Sequence, residues 1–423
     1  MMRFARFFEQ PMLSHPRRLR RSPVAFFLLG CTLALLLFDS ALRLIEWTPL
    51  WRVLPLVEPI LGQPDHAFGF DSTPGAVGIW SREHRARIRV NSLGFRDVER
   101  TVVKPEGTIR VGLLGDSMVE GAQVSQEATF GTIAEHMLRR QGYNVELINL
   151  AVAGPSPIRQ LLRLEKRGYA LNLDVVLANS TGSSFWTGAL LDDSQNPAYV
   201  ENGDGRLVRG YAFRQRFSQR HADDLWGRSF VALYQHSPLL RMFYLRGKEP
   251  GQILGLSAAQ PPSRPAQPGA APDHLALCTA ADAALKPHIA LWLNHQPAPE
   301  WAATTQFLQD FAESTKAHAV EVLYAVRDIP LPPRDCHLVE QRRAELISTM
   351  AAEFSNHGIK LVDWTATVAA ATGLRDLGRL HGFGLHRGAG HLNFDGHRAW
   401  ARALLDLLKA NVPSMQAHHQ PAS

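Results

Sequence analysis

From about residue 110 onward, short apolar runs of strand length alternate with amphipathic stretches of helix length, and that pattern admits few folds. A strand that is apolar throughout needs both faces covered, which a parallel sheet with helices on each side provides. The alternation predicts strands at 110–114, 145–150, 174–178, 321–325 and 359–362. It predicts helices at 125–140, with Ser125 as the cap and Glu127 in the first turn, and at 158–168, 225–244, 300–317, 337–356 and 397–410. No internal repeat is visible. The alternation lapses over 190–273, where polar, Gly- and Asp-containing sequence is followed by a proline-rich run at 255–272, so the expectation is one sheet carrying a long insertion. The aromatics Tyr199, Tyr211, Phe213 and Trp226, with Trp186 just before them, suit either a lid or glycan-contacting wall or a small accessory core.

The chain ahead of the sheet is of another kind. Residues 1–21 hold Arg3, Arg6, Arg17, Arg18, Arg20 and Arg21 against Glu9 alone, so five of the six net positive charges of this 423-residue protein sit on its first segment. Phosphate binding needs a basic stripe on the folded body and not on a tail, so a nucleic-acid partner is not expected. Residues 24–38 carry no charge, and continuing to Ile45 gives a stretch of about 33 Å as a helix, enough to span a bilayer. The arginines place its N-terminal side in the cytoplasm, and Trp47 and Trp51 suit the opposite interface. Phe38 or Asp39 at the −3 position argues against a cleaved signal peptide, and too little apolar sequence precedes Gly30-Cys31 for a lipoprotein box. Beyond the span, Pro49, Pro55 and Pro59 rule out one continuous helix and leave a broken, membrane-proximal segment. Cys31 falls inside the span, leaving Cys278 and Cys336 either as a disulfide of the exported part or as two free structural cysteines.

In an open parallel sheet, functional groups collect at the carboxyl ends of strands. Four segments lie there. Gly115-Asp116-Ser117 follows the first strand and puts a hydroxyl before a helix; Ala153-Gly154 follows the second, where a glycine lets a backbone N–H approach a reacting atom. Gly182-Ser183-Ser184 follows the third, and His391-Leu392-Asn393 precedes the last helix. His381, His386, His391 and His397 are spaced by five, five and six residues, which matches no usual metal-ligand pattern, and no metal or other cofactor is expected.

These blocks, with Val90-Asn91-Ser92-Leu93-Gly94-Phe95-Arg96-Asp97 ahead of them, the stretch from Asn149 to Gly154, and the stretch from His391 to His397, resemble the SGNH/GDSL hydrolase superfamily, in particular its membrane-anchored, exported bacterial members. The resemblance implies a flavodoxin-like three-layer α/β/α fold, with Ser117 as nucleophile and His391 as general base. It implies an oxyanion hole from the backbone N–H groups of Ser117 and Gly154 plus a side-chain donor, with Asp116 structural. The implied division is a basic cytoplasmic tail at 1–23, a transmembrane helix at 24–45, a membrane-proximal segment at 46–65, an SGNH-like domain at 66–412 with the insertion at 190–273, and an unstructured tail at 413–423. The main domain is then expected in the periplasm, anchored in the inner membrane.

Two positions depart from the family's pattern. Where the family has Asn after the third strand this chain has Gly182-Ser183-Ser184, so Ser183 is the expected donor, with Asn179 eligible only in another register. Where the family has Asp three residues before the histidine this chain has Gly388, so a backbone carbonyl or an acid from elsewhere (Asp376, Asp363 or Asp395) must orient the imidazole. A Ser/His dyad, a rearranged triad and an inactive site all remain open. The implied function is an esterase or O-acyltransferase acting on acyl groups, acetyl first among them, of an envelope glycan or exopolysaccharide. The alternative is a catalytically degenerate domain used for binding, an accessory subunit with membrane-protein partners.

Overall fold

The computed structural model describes residues 23–46, 62–65, 69–80, 83–154, 156–191, 196–212, 237–247, 274–384 and 387–413, with the single positions 48, 50, 229, 233, 236 and 415. The basic tail, Trp47, Trp51 and the three prolines near them, Phe213, Trp226, the proline-rich run, His386 and the last residues lie outside this set.

The chain divides into two compact units, 1–51 and 52–423. In the first, helix α1 (Pro23–Glu46) contains an 18-residue stretch with a mean hydropathy of 2.1, of which 6% is buried. At 1.5 Å per residue it is about 36 Å long, long and apolar enough to cross a membrane.

The second unit opens with two hairpins, β1 (Gly62–Asp65) with β2 (Gly69–Ser72), and β3 (Val77–Trp80) with β4 (Ala86–Arg89). The parallel sheet begins with β5 (Ile109–Leu114), which runs into the short helix α2 (Ser117–Glu120) and on to α3 (Phe130–Arg140). Strand β6 (Val145–Asn149), helix α4 (Pro157–Arg163) and strand β7 (Val175–Thr181) follow. Next come a hairpin of β8 (Ala198–Glu201) and β9 (Leu207–Gly210) and helices α5 (Pro238–Gly247), α6 (His274–Trp292) and α7 (Ala298–Ala317). Strand β10 (Glu321–Arg327), helix α8 (His337–Asn356), strand β11 (Lys360–Asp363) and helices α9 (Trp364–Thr372) and α10 (Phe394–Asn411) complete it.

The five long-range strands are all parallel, in the order β11-β10-β7-β5-β6. Renumbered along the sheet this is the flavodoxin-like order 2-1-3-4-5, whose crevice opens where the chain reverses direction, between β5 and β7. The strands are apolar on both sides because each side has its own core. On one face Val176, Ala178, Tyr324 and Val326 pack with Trp292, Phe307 and Phe354 from the helices. On the other, Val111, Leu113, Leu177, Leu323 and Ala325 pack with Leu138, Trp364, Trp400 and Leu404.

Several expected boundaries move. The first helix starts at Phe130 with Thr129 accepting the Thr132 N–H, whereas Ser125 heads a single 3₁₀ turn without a side-chain cap. Strand β7 runs three residues beyond its expected end, which carries Asn179 inside the strand. Of the helix expected at 225–244, the described positions 229, 233, 236 and 238–244 are helical and Ser237 is not, and the other positions lie outside the described residues. Within the insertion, Tyr199 is buried in the main core with its hydroxyl on Asp310 at 2.9 Å, and Trp186 and Tyr211 pack against the same core. These three serve the core and not a lid. Cys278 of α6 and Cys336 are joined as a disulfide, and Cys31 is free.

Candidate active site

Ser117 is the first residue of α2, at the carboxyl end of β5 and beside the topological switch point. The turn that delivers it is tight. A Cβ on Gly115 would lie 2.2 Å from Val119, so only glycine fits between the strand and the helix after it. Asp116 caps that helix, its Oδ1 accepting the Met118 N–H at 3.0 Å. Its Oδ2 accepts from Arg327 Nη2 at 2.5 Å, and the same guanidinium donates through Nη1 to Asn179 Oδ1. Arg327 ends β10 and is 4% exposed, so one buried cation ties the ends of β5, β7 and β10 together behind the serine.

His391 comes to Ser117 from the far end of the sequence, its Nε2 2.8 Å from the serine Oγ. The other ring nitrogen, Nδ1, lies 2.6 Å from Glu83 Oε1, and Glu83 Oε2 accepts the backbone N–H of His391 at 3.1 Å. One carboxylate therefore fixes both the imidazole and the main chain that carries it. With Nδ1–H donating to Glu83, Nε2 holds the lone pair that a serine proton needs.

Glu83 corrects the expected orienting acid. Asp376 Oδ1 accepts the Gly378 N–H, Asp363 caps α9 and pairs with Arg343, and Asp395 pairs with Arg398, so each of the three is engaged elsewhere. Glu83 stands in the connection between β3 and β4, 308 residues before the histidine, where no sequence spacing points to it. The neighbouring His84 docks that connection onto the site: its Nδ1 is 3.1 Å from the Gln123 carbonyl, and its ring stacks on Phe383 at 4.8 Å and meets Phe394 edge-on at 5.1 Å.

The second block lies alongside. The Val152 N–H donates to the Gly115 carbonyl at 3.3 Å, which lays the Ala153-Gly154 turn beside the Gly115-Asp116-Ser117 turn. Asn149, buried at the end of β6, braces both: its Nδ2 donates to the carbonyls of Val119 and Glu120, and its Oδ1 accepts the Ala151 N–H. Gly154 has φ +125°, a conformation that side chains rarely adopt. Ser183 sits in the 3₁₀ turn Gly182–Phe185 after β7, its hydroxyl sharing a hydrogen bond with Thr181 Oγ1 at 2.9 Å. Asn179 is held by Arg327.

The approach segment is structural. Asn91 Oδ1 accepts the N–H groups of Leu93 and Phe95, while buried Arg96 donates to the Val124 carbonyl below α2. Of the remaining histidines, His397 is fully buried and accepts the Phe130 N–H at 3.2 Å, and His381 Nδ1 is 3.0 Å from the Gly390 carbonyl. Burial holds the His397 imidazole down at about 3 and thus neutral at ordinary pH. Among the described residues, the cluster of metal-ligating atoms is His274, Cys278 and Cys336, and the two cysteines are bonded to each other.

No protein-family model matches the chain, and no curated protein matches it. Among solved structures it is similar to a psychrotrophic esterase, EstA, from Pseudoalteromonas sp. (10% identity, TM-score 0.34, covering 71% of this chain and 97% of that one). It is also similar to a lipase/acylhydrolase from Enterococcus faecalis (11%, 0.32, 71% and 96%) and to the acetyl xylan esterase AlAXEase (14%, 0.32, 71% and 100%). Likeness at that level says nothing of activity, which has to be argued from the side chains around Ser117.

Proposed function

We propose that this protein is a serine acyl hydrolase of the SGNH type that removes or transfers acyl groups, acetyl first among them, on a glycan outside the cytoplasmic membrane. The observation that carries the reading is the unbroken chain of short contacts from Ser117 Oγ through His391 to Glu83. A serine hydroxyl is a poor nucleophile until an imidazole takes its proton, and an imidazole does so best when a carboxylate holds its far N–H.

In the reaction Ser117 Oγ attacks the ester carbonyl as its proton passes to His391 Nε2. The carbonyl oxygen, now negative, is received by the backbone N–H groups of Ser117 and Gly154, with the Ser183 hydroxyl as the side-chain candidate from the third block. His391 returns the proton to the departing alcohol oxygen, leaving an acyl-serine. Water completes hydrolysis and a sugar hydroxyl completes transfer, by the same steps in reverse. Neither outcome needs a cofactor. The aromatic rings of Phe383 and Phe394 beside His84 suit contact with a pyranose ring next to the scissile ester.

An apolar N-terminal helix of membrane-spanning length, arginines ahead of it and a disulfide in the body all agree with a periplasmic domain anchored in the inner membrane of a bacterium. A degenerate domain serving a membrane complex drew its support from the missing Asn of the third block and the missing acid, and Glu83 supplies a carboxylate for the second of these. The test is turnover of an aryl acetate by the purified full-length protein in detergent. Activity lost in Ser117→Ala supports the reading; equal rates in both proteins refute it.

A further inference from the structure

Ala153 is gripped through its carbonyl oxygen. Its carbonyl accepts from Arg159 Nη1 at 2.7 Å, a residue of α4, the helix just after the turn. That carbonyl and the N–H of Gly154 belong to one peptide group. A trans peptide is planar with its C=O and N–H pointing in opposite directions, so a guanidinium fixed on the oxygen fixes where the N–H points. It also draws electron density toward the oxygen, which makes the N–H a stronger donor.

The guanidinium is placed there at some cost. Arg159 is 5% exposed, and burial lowers its pKa to about 10, opposed by Glu120 and Asp65. It remains a cation near neutral pH. Its Nη1 occupies space 2.7 Å from where a Cβ on residue 154 would be, so a side chain there would push the guanidinium away.

We infer that Arg159 is a positioning residue of the oxyanion hole: it clamps the Ala153 carbonyl so that the Gly154 N–H is aimed and polarised toward the oxygen that becomes negative when Ser117 attacks. The inference rests on the serine-hydrolase reading. Because Arg159 acts through the Ala153–Gly154 peptide, its removal weakens transition-state binding and leaves ground-state binding nearly alone.

The test compares full-length wild type and Arg159→Met with an aryl acetate, and measures inhibition by phenylboronic acid, whose tetrahedral adduct on Ser117 puts an oxygen in the oxyanion hole. Loss of a whole oxyanion donor costs about 10²–10³ in kcat, so misaiming one by Arg159→Met should cost roughly 10- to 100-fold, with KM within about threefold and boronate affinity falling alongside kcat. A folded Arg159→Met protein with wild-type kcat, or one whose KM rises while boronate affinity holds, overturns the inference and leaves the hydrolase reading standing. Wild type without Ser117-dependent turnover overturns both. If Arg159→Met does not fold, Arg159→Lys decides: an ammonium lacks the guanidinium's planar fork, so kcat should fall about fivefold at constant KM, and wild-type kcat overturns the inference.

Discussion

Replacing Glu83 by Gln isolates the feature that turns a serine–histidine pair into a relay. The carboxylate offers two acceptor oxygens, one to His391 Nδ1 at 2.6 Å and one to the His391 N–H at 3.1 Å. An amide of the same shape offers one. If the amide oxygen keeps the backbone N–H, its NH₂ faces Nδ1 and favours the tautomer with the proton on Nε2, which then points a hydrogen at Ser117 Oγ where a lone pair is needed. The equivalent change in a serine-protease triad costs about 10⁴ in kcat, or about 5.5 kcal/mol of activation free energy. The same order is expected here. Stability should change by less than about 1 kcal/mol, since both side chains are about a quarter exposed, at 28% for Glu83 and 24% for His391. The assay is kcat on an aryl acetate, with Asp376→Asn and Asp395→Asn as controls and a urea titration to confirm the fold. Glu83→Gln with kcat within tenfold of wild type, or a control that loses as much, would refute the assignment of the triad acid.

Buried groups set how stability responds to pH, to substitution and to reduction. Burial lowers His397 from 6.5 to about 3 and His288 from 6.5 to about 4, so below about pH 6.5 the unfolded chain binds protons that the folded protein does not. Stability is full at pH 8 and falls as pH drops, by about 2 kcal/mol per histidine at pH 5; urea midpoints should show this, and His397→Asn should flatten the slope. Breaking the buried Arg327–Asp116 pair by Arg327→Met leaves a carboxylate without its cation and should cost about 3 kcal/mol by the same measurement. Non-reducing peptide maps should contain a cross-linked peptide joining Cys278 to Cys336, and reduction, which reopens a loop with a sequence separation of 58, should lower stability by about 4 kcal/mol.

The sheet was legible because its signal is local. Each strand of β5, β6, β7, β10 and β11 is apolar on both faces and bounded by polar turns, and the period of the intervening helices differs enough to separate them. The nucleophile turn was legible too, since Gly115, Asp116 and Ser117 are adjacent in sequence. The acid was not. Glu83 lies in a hairpin connection with no periodicity of its own, and reaches His391 only because His84 docks on Phe383, Phe394 and the Gln123 carbonyl. Contacts across some 300 residues leave no mark on spacing. Arg159 left a faint one: in α4 every position from Pro157 to Arg163 is buried, and an arginine in such a run must be neutralised or put to use. The shift of the α3 cap from Ser125 to Thr129 is of the smaller kind, where two capping residues four apart compete and the 3₁₀ turn takes the first.

The central claim is that Ser117 is a nucleophile made reactive by His391 and Glu83. Its most direct measurement is the intact mass of the full-length protein after exposure to a fluorophosphonate, which phosphonylates only an activated serine. The account predicts a single adduct that maps to the peptide containing Ser117, is lost in Ser117→Ala and forms far more slowly in His391→Ala and Glu83→Gln. No adduct on the wild-type protein, or one that maps to another serine, would contradict it.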